Sequence, residues 1–153
     1  MELREWTPAA LLELSGGYWS TCALHAGVKL NVFTPLASSS LTAPELACAL
    51  TCDGRGLAML LDALAALGLL KKEGRLYAAT AFSTKFLSRT SPDYLGHIIM
   101  HHHHLVAGWG RLDEAVKTGH PVRERVSHED VESSRESFLM GMFNLASALA
   151  PRV

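Results

Sequence analysis

The run Ile98-Ile99-Met100-His101-His102-His103-His104-Leu105-Val106 gathers half of the chain's eight histidines into one internal stretch. An imidazole can ligate a metal, change charge near neutral pH, or hydrogen-bond a bound molecule through either ring nitrogen. A purification tag is excluded, because tags stand at termini beside linkers and this run is internal and flanked by apolar residues. On a helix, at about 100° per residue, the four rings point in different directions. His102 shares a stripe with Leu95, Ile98, Leu105, Val106, Trp109, Leu112 and Val116. That stripe is expected to pack on the chain's own domain, with His102 a core histidine satisfied by a neighbour. His97, His101, His104 and Gly108 fall on the opposite face, with Met100 beside them. This face is too uncharged for open water and too polar for a core. It offers an i, i+4 histidine pair to Zn²⁺ or Ni²⁺, but no Cys or carboxylate stands near by at ligand spacing, so no metal site is expected. The competing reading is a cleft wall shared with a body outside the chain, with Gly108 admitting another backbone.

The elements that must position these residues read almost entirely as helix. Pro8 opens a short helix over 8 to 14, and a second spans 17 to 30 with Trp19, Leu24 and Val28 apolar among small residues, ending at Thr34-Pro35. Thr42-Ala-Pro-Glu45 is a capping box for a helix over 43 to 50. Asp53 caps the next helix, where Leu57, Leu60, Leu61, Leu64, Leu67 and Leu70 recur at helical spacing, and Gly68 marks the end. Glu73-Gly74 then turns a β-hairpin. Helix, turn, helix and hairpin is the order of a winged helix. After a short helix (AFSTKFL), Ser91-Pro92 opens one long helix running to about Lys117, interrupted only by Gly108 and Gly110; roughly 26 residues span about 40 Å. A charged stretch follows Gly119-His-Pro121, and a last helix covers about Glu132 to Ala150. The division is an N-terminal arm over 1–35, a winged-helix-like core over 36–90, and the long and last helices over 91–153.

The 153 residues are one domain's worth, and 48 % hydrophobic residues is ample for a core. A net charge of −1 supplies no field to draw the chain onto nucleic acid or an anionic membrane. Cys22, Cys48 and Cys52 lack CxxC spacing, and no signal or membrane-spanning segment is present, so a reduced, cytoplasmic protein is expected.

Three motifs carry a family resemblance: Gly68-Leu-Leu before the hairpin; Ile99-Met100-His101 through Trp109, Leu112, Ala115-Val116 and Gly119; and Phe138-Leu-Met-Gly141-Met142. In these the chain resembles, over essentially its whole length, the N-terminal dimerisation region of S-adenosylmethionine-dependent O-methyltransferases, the group that includes plant caffeate and flavonoid enzymes and bacterial relatives. The resemblance implies a mainly α fold, with a winged-helix-like core, a small hairpin wing, a helical arm and long C-terminal helices that intertwine two subunits. It implies that cofactor and catalytic residues lie in a following Rossmann-like domain, since this sequence has no Gly-rich loop after a strand with an acidic residue about 20 further on. The chain by itself is then expected to be inactive and to bind no S-adenosylmethionine. Residue by residue, the resemblance places Met100, His101, His104, Leu105, Trp109, Phe138 and Met142 on one wall of a small-molecule acceptor pocket; near His101 plant members carry an amide. Phe138 and Met142, at i, i+4, and Trp109, on the packing stripe, also read as ordinary core. Tyr18, Trp19, Leu24 and Val28 are the expected contacts of a homodimer. The rival function is a winged-helix transcription regulator. Against it, the second helix of the unit offers Arg55 alone as a base reader, and the wing offers Lys71, Lys72 and Arg75.

Overall fold

A computed structural model describes residues 5–122 and 128–149. The arm consists of α1 (Pro8–Gly16) and α2 (Tyr18–Lys29). Next come α3 (Phe33–Ser38), β1 (Leu41–Thr42), α4 (Ala43–Leu50), α5 (Gly54–Ala66), β2 (Leu70–Glu73), β3 (Leu76–Ala79) and α6 (Ala81–Leu87). The C-terminal part holds α7 (Gly96–Trp109), α8 (Leu112–Thr118) and α9 (His128–Leu149).

Local chemistry sets most of these boundaries. The side chains of Thr7, Thr42, Asp53 and Thr80 each accept a hydrogen bond from a backbone N–H at the start of α1, α4, α5 and α6. Thr42 and Glu45 form the expected capping box. Gly68 and Gly74 adopt positive φ, one ending α5 and the other turning the hairpin. The sheet gains a strand that the sequence did not announce: β1 pairs antiparallel with β3, giving the order β1-β3-β2. Leu57, Leu61 and Leu64 line the buried face of α5 and meet Val28, Val32, Phe33, Leu36 and Leu46 in the core, with Leu70, Tyr77 and Leu87 closing it. Leu67, expected on that stripe, is 44 % exposed, because α5 has ended there.

Two expectations for the C-terminal part need correction. The long helix is two helices, divided at Gly110-Arg111, and it starts at Gly96 rather than at Pro92. Ser91 does not cap a helix; its hydroxyl accepts from Asp93 N within a turn, and Leu95 N ties that turn back to Phe86 O at 2.8 Å. The second correction concerns the faces of α7. Ile98 is buried against Gly141 of α9 rather than in the core cluster, Leu95 is half-buried, His102 is exposed, and Leu105, Val106, Trp109, Leu112 and Val116 are between 41 % and 76 % exposed. Only the first turns of α7 reach the core, where Ile99 and Met100 pack against it; the apolar residues from Leu105 on are exposed before the helix ends at Gly110. The opposite face, expected to lack a partner in the chain, stands beside α9, the most extensive neighbour of α7, where His101 meets Phe138.

That packing has one point of closest approach. A Cβ on Gly141 would stand 3.0 Å from Ile98 Cα, so α9 lies on α7 backbone to backbone. Gly108, expected to admit another backbone, does not do so: a Cβ there would meet only Val122 O, at 3.9 Å. The substitution Gly141→Ala must therefore push the two helices apart and should cost about 1–3 kcal/mol in urea unfolding. An unchanged midpoint would show that α9 does not sit against Ile98.

Candidate functional site

The histidine run is distributed over three environments. His101 is half-buried between α7 and α9, its ring edge-on to Phe138 with 5.2 Å between centroids and its Nδ1 buried without a hydrogen-bond partner among the described residues. His103 turns toward α2. Its ring stands edge-on to His25, 5.5 Å away, and its Nε2 lies 3.3 Å from Lys29 Nζ. An ammonium can only donate, so His103 Nε2 accepts and the imidazole is neutral there, with its proton on Nδ1. His104 joins His97 and Met100 in a cleft of about 430 Å³, closed by Lys29, Arg89, Tyr94, Glu136 and Ser137. His102 faces a groove of about 720 Å³ between α2 and α7, with Tyr18, Thr21, Cys22, His25, Leu105, Val106 and Trp109.

The seven residues expected on one acceptor wall are thus split. Met100 and His104 share the cleft, His101 and Phe138 meet beside it, and Leu105 and Trp109 lie across the helix in the groove. Met142 lies one turn beyond Phe138 on α9 and is 38 % exposed. Of the four expected interface residues, Tyr18 and Trp19 are exposed and stacked edge to face at 5.6 Å, and Leu24 is half-buried against the core. Val28 is a correction: at 1 % exposure it belongs to the chain's own core, because α2 sets this face on α5.

Sequence reasoning missed Lys29, Arg89, Tyr94, Glu136 and Ser137 as cleft residues. For Lys29 a signal was present, since apart from histidine it is the lone charged residue between Glu13 and Glu45. Arg89 owes its place to a network that no local pattern displays. Asn31, at φ 58°, accepts from Thr34 Oγ1 at 2.6 Å, and Thr34 Oγ1 accepts from Arg89 N at 3.0 Å. That network fixes the 88–95 loop against the end of the arm.

Among the described residues no three His, Cys, Asp or Glu side chains converge on a metal position. The sheet is three-stranded and antiparallel, without a strand followed by a Gly-rich loop and a helix, so the described residues do not form a dinucleotide-type cofactor cradle. No described helix is long and apolar enough to cross a membrane.

Residues 12–89 match the family model of the O-methyltransferase dimerisation domain. The chain belongs to that family. The chain is 35 % identical over 150 residues to the 3-hydroxy-5-methyl-1-naphthoate 3-O-methyltransferase of Streptomyces sahachiroi, covering 94 % of this chain and 43 % of that protein. It is similar in structure to an O-methyltransferase family protein from Burkholderia thailandensis, with a TM-score of 0.79 and 31 % identity over 95 % of this chain and 44 % of that one. It also resembles the structure of PigF with SAH, with a TM-score of 0.80 and 25 % identity over 93 % of this chain and 45 % of that one. PigF of Serratia is described as an S-adenosyl-L-methionine-dependent methyl transferase. The dimerisation-domain chain therefore spans less than half the length of these relatives.

The histidine contact between α2 and α7 predicts a pH dependence. Burial holds the His25 imidazole below its ordinary value, and the nearby His103 and His102 lower it further. Burial likewise lowers His103, followed by the charge of Lys29 and then His104. With folded values depressed, the unfolded chain takes up protons first as pH falls below about 6.5, so stability present above that pH is lost on acidification. The urea midpoint should fall between about pH 7.5 and about pH 5.5, and His25→Phe should flatten the fall. Equal slopes in the two proteins would mean that these rings do not couple the helices.

Proposed function

We propose that the chain is the dimerisation and substrate-pocket module of an S-adenosylmethionine-dependent O-methyltransferase, working as a homodimer on a hydroxyl of a small aromatic acceptor. The observation that carries this reading is the two-sidedness of α7. One side, with Met100, His101 and His104, is seated against α9 beside Phe138. The other is a bare apolar groove continuous with an arm whose α1 buries none of its residues. The first side supplies a wall for a planar ring, and the second supplies surface for a second copy. The naphthoate hydroxyl named for the Streptomyces sahachiroi relative is an acceptor of the proposed kind.

S-adenosylmethionine supplies a methyl group from its sulfonium, and both cofactor and catalytic base belong to residues outside this chain. Residues of this chain orient the acceptor ring and keep water from it, contributions that act through positioning. The regulator alternative draws less support. Of the few cations on the wing, Lys72 is held by Asp62 at 2.5 Å, and Tyr77 donates to the same carboxylate at 2.6 Å. Hydrogen bonds from Lys72 and then Tyr77 keep the Asp62 carboxyl below the usual range, so this pair stays charged and mutually satisfied. A module that binds neither nucleic acid nor membrane is the reading that follows.

Sedimentation velocity at micromolar concentration should give a dimer, and the double substitution Leu12→Asp with Trp19→Asp should give a folded monomer. A wild-type monomer at that concentration would count against the reading. So would tight binding of duplex DNA at moderate salt, which would favour the regulator.

A further inference from the structure

The cleft beside the histidine run carries a charge pattern that its neighbours do not balance. Lys29 and Arg89 stand exposed at its rim, one at the end of α2 and the other on the loop anchored by Thr34. Among the described residues, Arg89 forms no ion pair, and the ammonium of Lys29 meets only the neutral ring of His103. Among the described residues Glu136 is the one carboxylate in the lining, and it is paired with neither cation. This excess is local, since the chain as a whole carries −1. It is also confined to one face, because among the described residues no Lys, Arg, Asp or Glu lines the groove on the other side of α7. Below the rim, Met100 gives a half-buried apolar floor, and His97 and His104 present imidazoles to the same space. At about 430 Å³ the cleft falls within the ordinary range for a small ligand.

We propose that this cleft takes an aromatic acceptor bearing a carboxylate, with Lys29 and Arg89 binding the carboxylate and Met100 and the imidazoles flanking the ring. The inference rests on the acceptor-wall reading and names the substrate class of that same site. A guanidinium offers a carboxylate two parallel N–H donors and a lysine adds a point charge, so a rim carrying both discriminates an acid from its neutral ester. Glu136 works against the bound acid and sets a limit on its affinity.

The test is a calorimetric titration of the chain with a hydroxynaphthoate and with its methyl ester. The acid should bind about tenfold more tightly than the ester, with the preference shrinking at high salt. Arg89→Met and Lys29→Met should each weaken the acid about fivefold and leave the ester unchanged. Glu136→Gln, which removes an exposed charge and leaves the fold alone, should strengthen the acid by about threefold. If acid and ester bind alike and none of the three variants alters either, the charge reading is overturned while the acceptor wall stands. If neither ligand binds the folded chain at millimolar concentration, both readings fall.

Discussion

A nine-residue helix that buries no side chain cannot hold itself together in water, and α1 is such a helix. Thr7 caps it and Pro8 suits its first turn, but caps contribute about 1 kcal/mol, and an isolated helix needs roughly 12 residues to be even marginal. Leu11, Leu12 and Leu14 are all exposed, as is Trp19, and Tyr18, Leu105, Val106 and Trp109 line one groove between α2 and α7. Contiguous exposure on this scale marks an interaction surface rather than a finished monomer. The rest of the architecture follows from where the missing cover must come. The core from α2 to α6 closes on itself, whereas α1 and the outer side of α7 do not.

The same constraint explains how one run of histidines serves several ends. α7 lies with α9 on one side and α2 on the other, and consecutive residues on a helix must address different neighbours. His101 meets Phe138, His103 meets His25 and Lys29, and His104 opens on the cleft. The Ile98–Gly141 approach fixes the separation of α7 and α9, and thereby the position of Phe138 beside His101. A change in core packing at that crossing is felt at the acceptor wall.

Much of the fold was legible because its signals are local. Capping residues at Thr42 and Asp53, the αL glycines Gly68 and Gly74, and the leucine period of α5 each act within a turn or two. What escaped was decided by longer-range terms. β1 exists through pairing with β3, some 35 residues away, and two residues carry no periodicity. Helix α3 runs through Pro35, because a proline in the first turn gives up an N–H that has no helical partner there. The stripe along α7 was correctly apolar, yet its apolarity did not reveal that its second half stays exposed among the described residues. In the site, the family motif pointed to Met100, His101 and Phe138, whereas Lys29 and Arg89 entered the cleft through the Asn31–Thr34–Arg89 network, which the sequence leaves unmarked.

The central claim is that a second copy of the chain completes the arm, and amide hydrogen exchange resolved over residues 8–16 tests it most directly. The account predicts protection of these amides at concentrations where the chain self-associates and loss of that protection on dilution, while α5 stays protected throughout. Exchange of 8–16 at unprotected rates at every concentration would contradict it, and so would protection that does not change on dilution to the monomer.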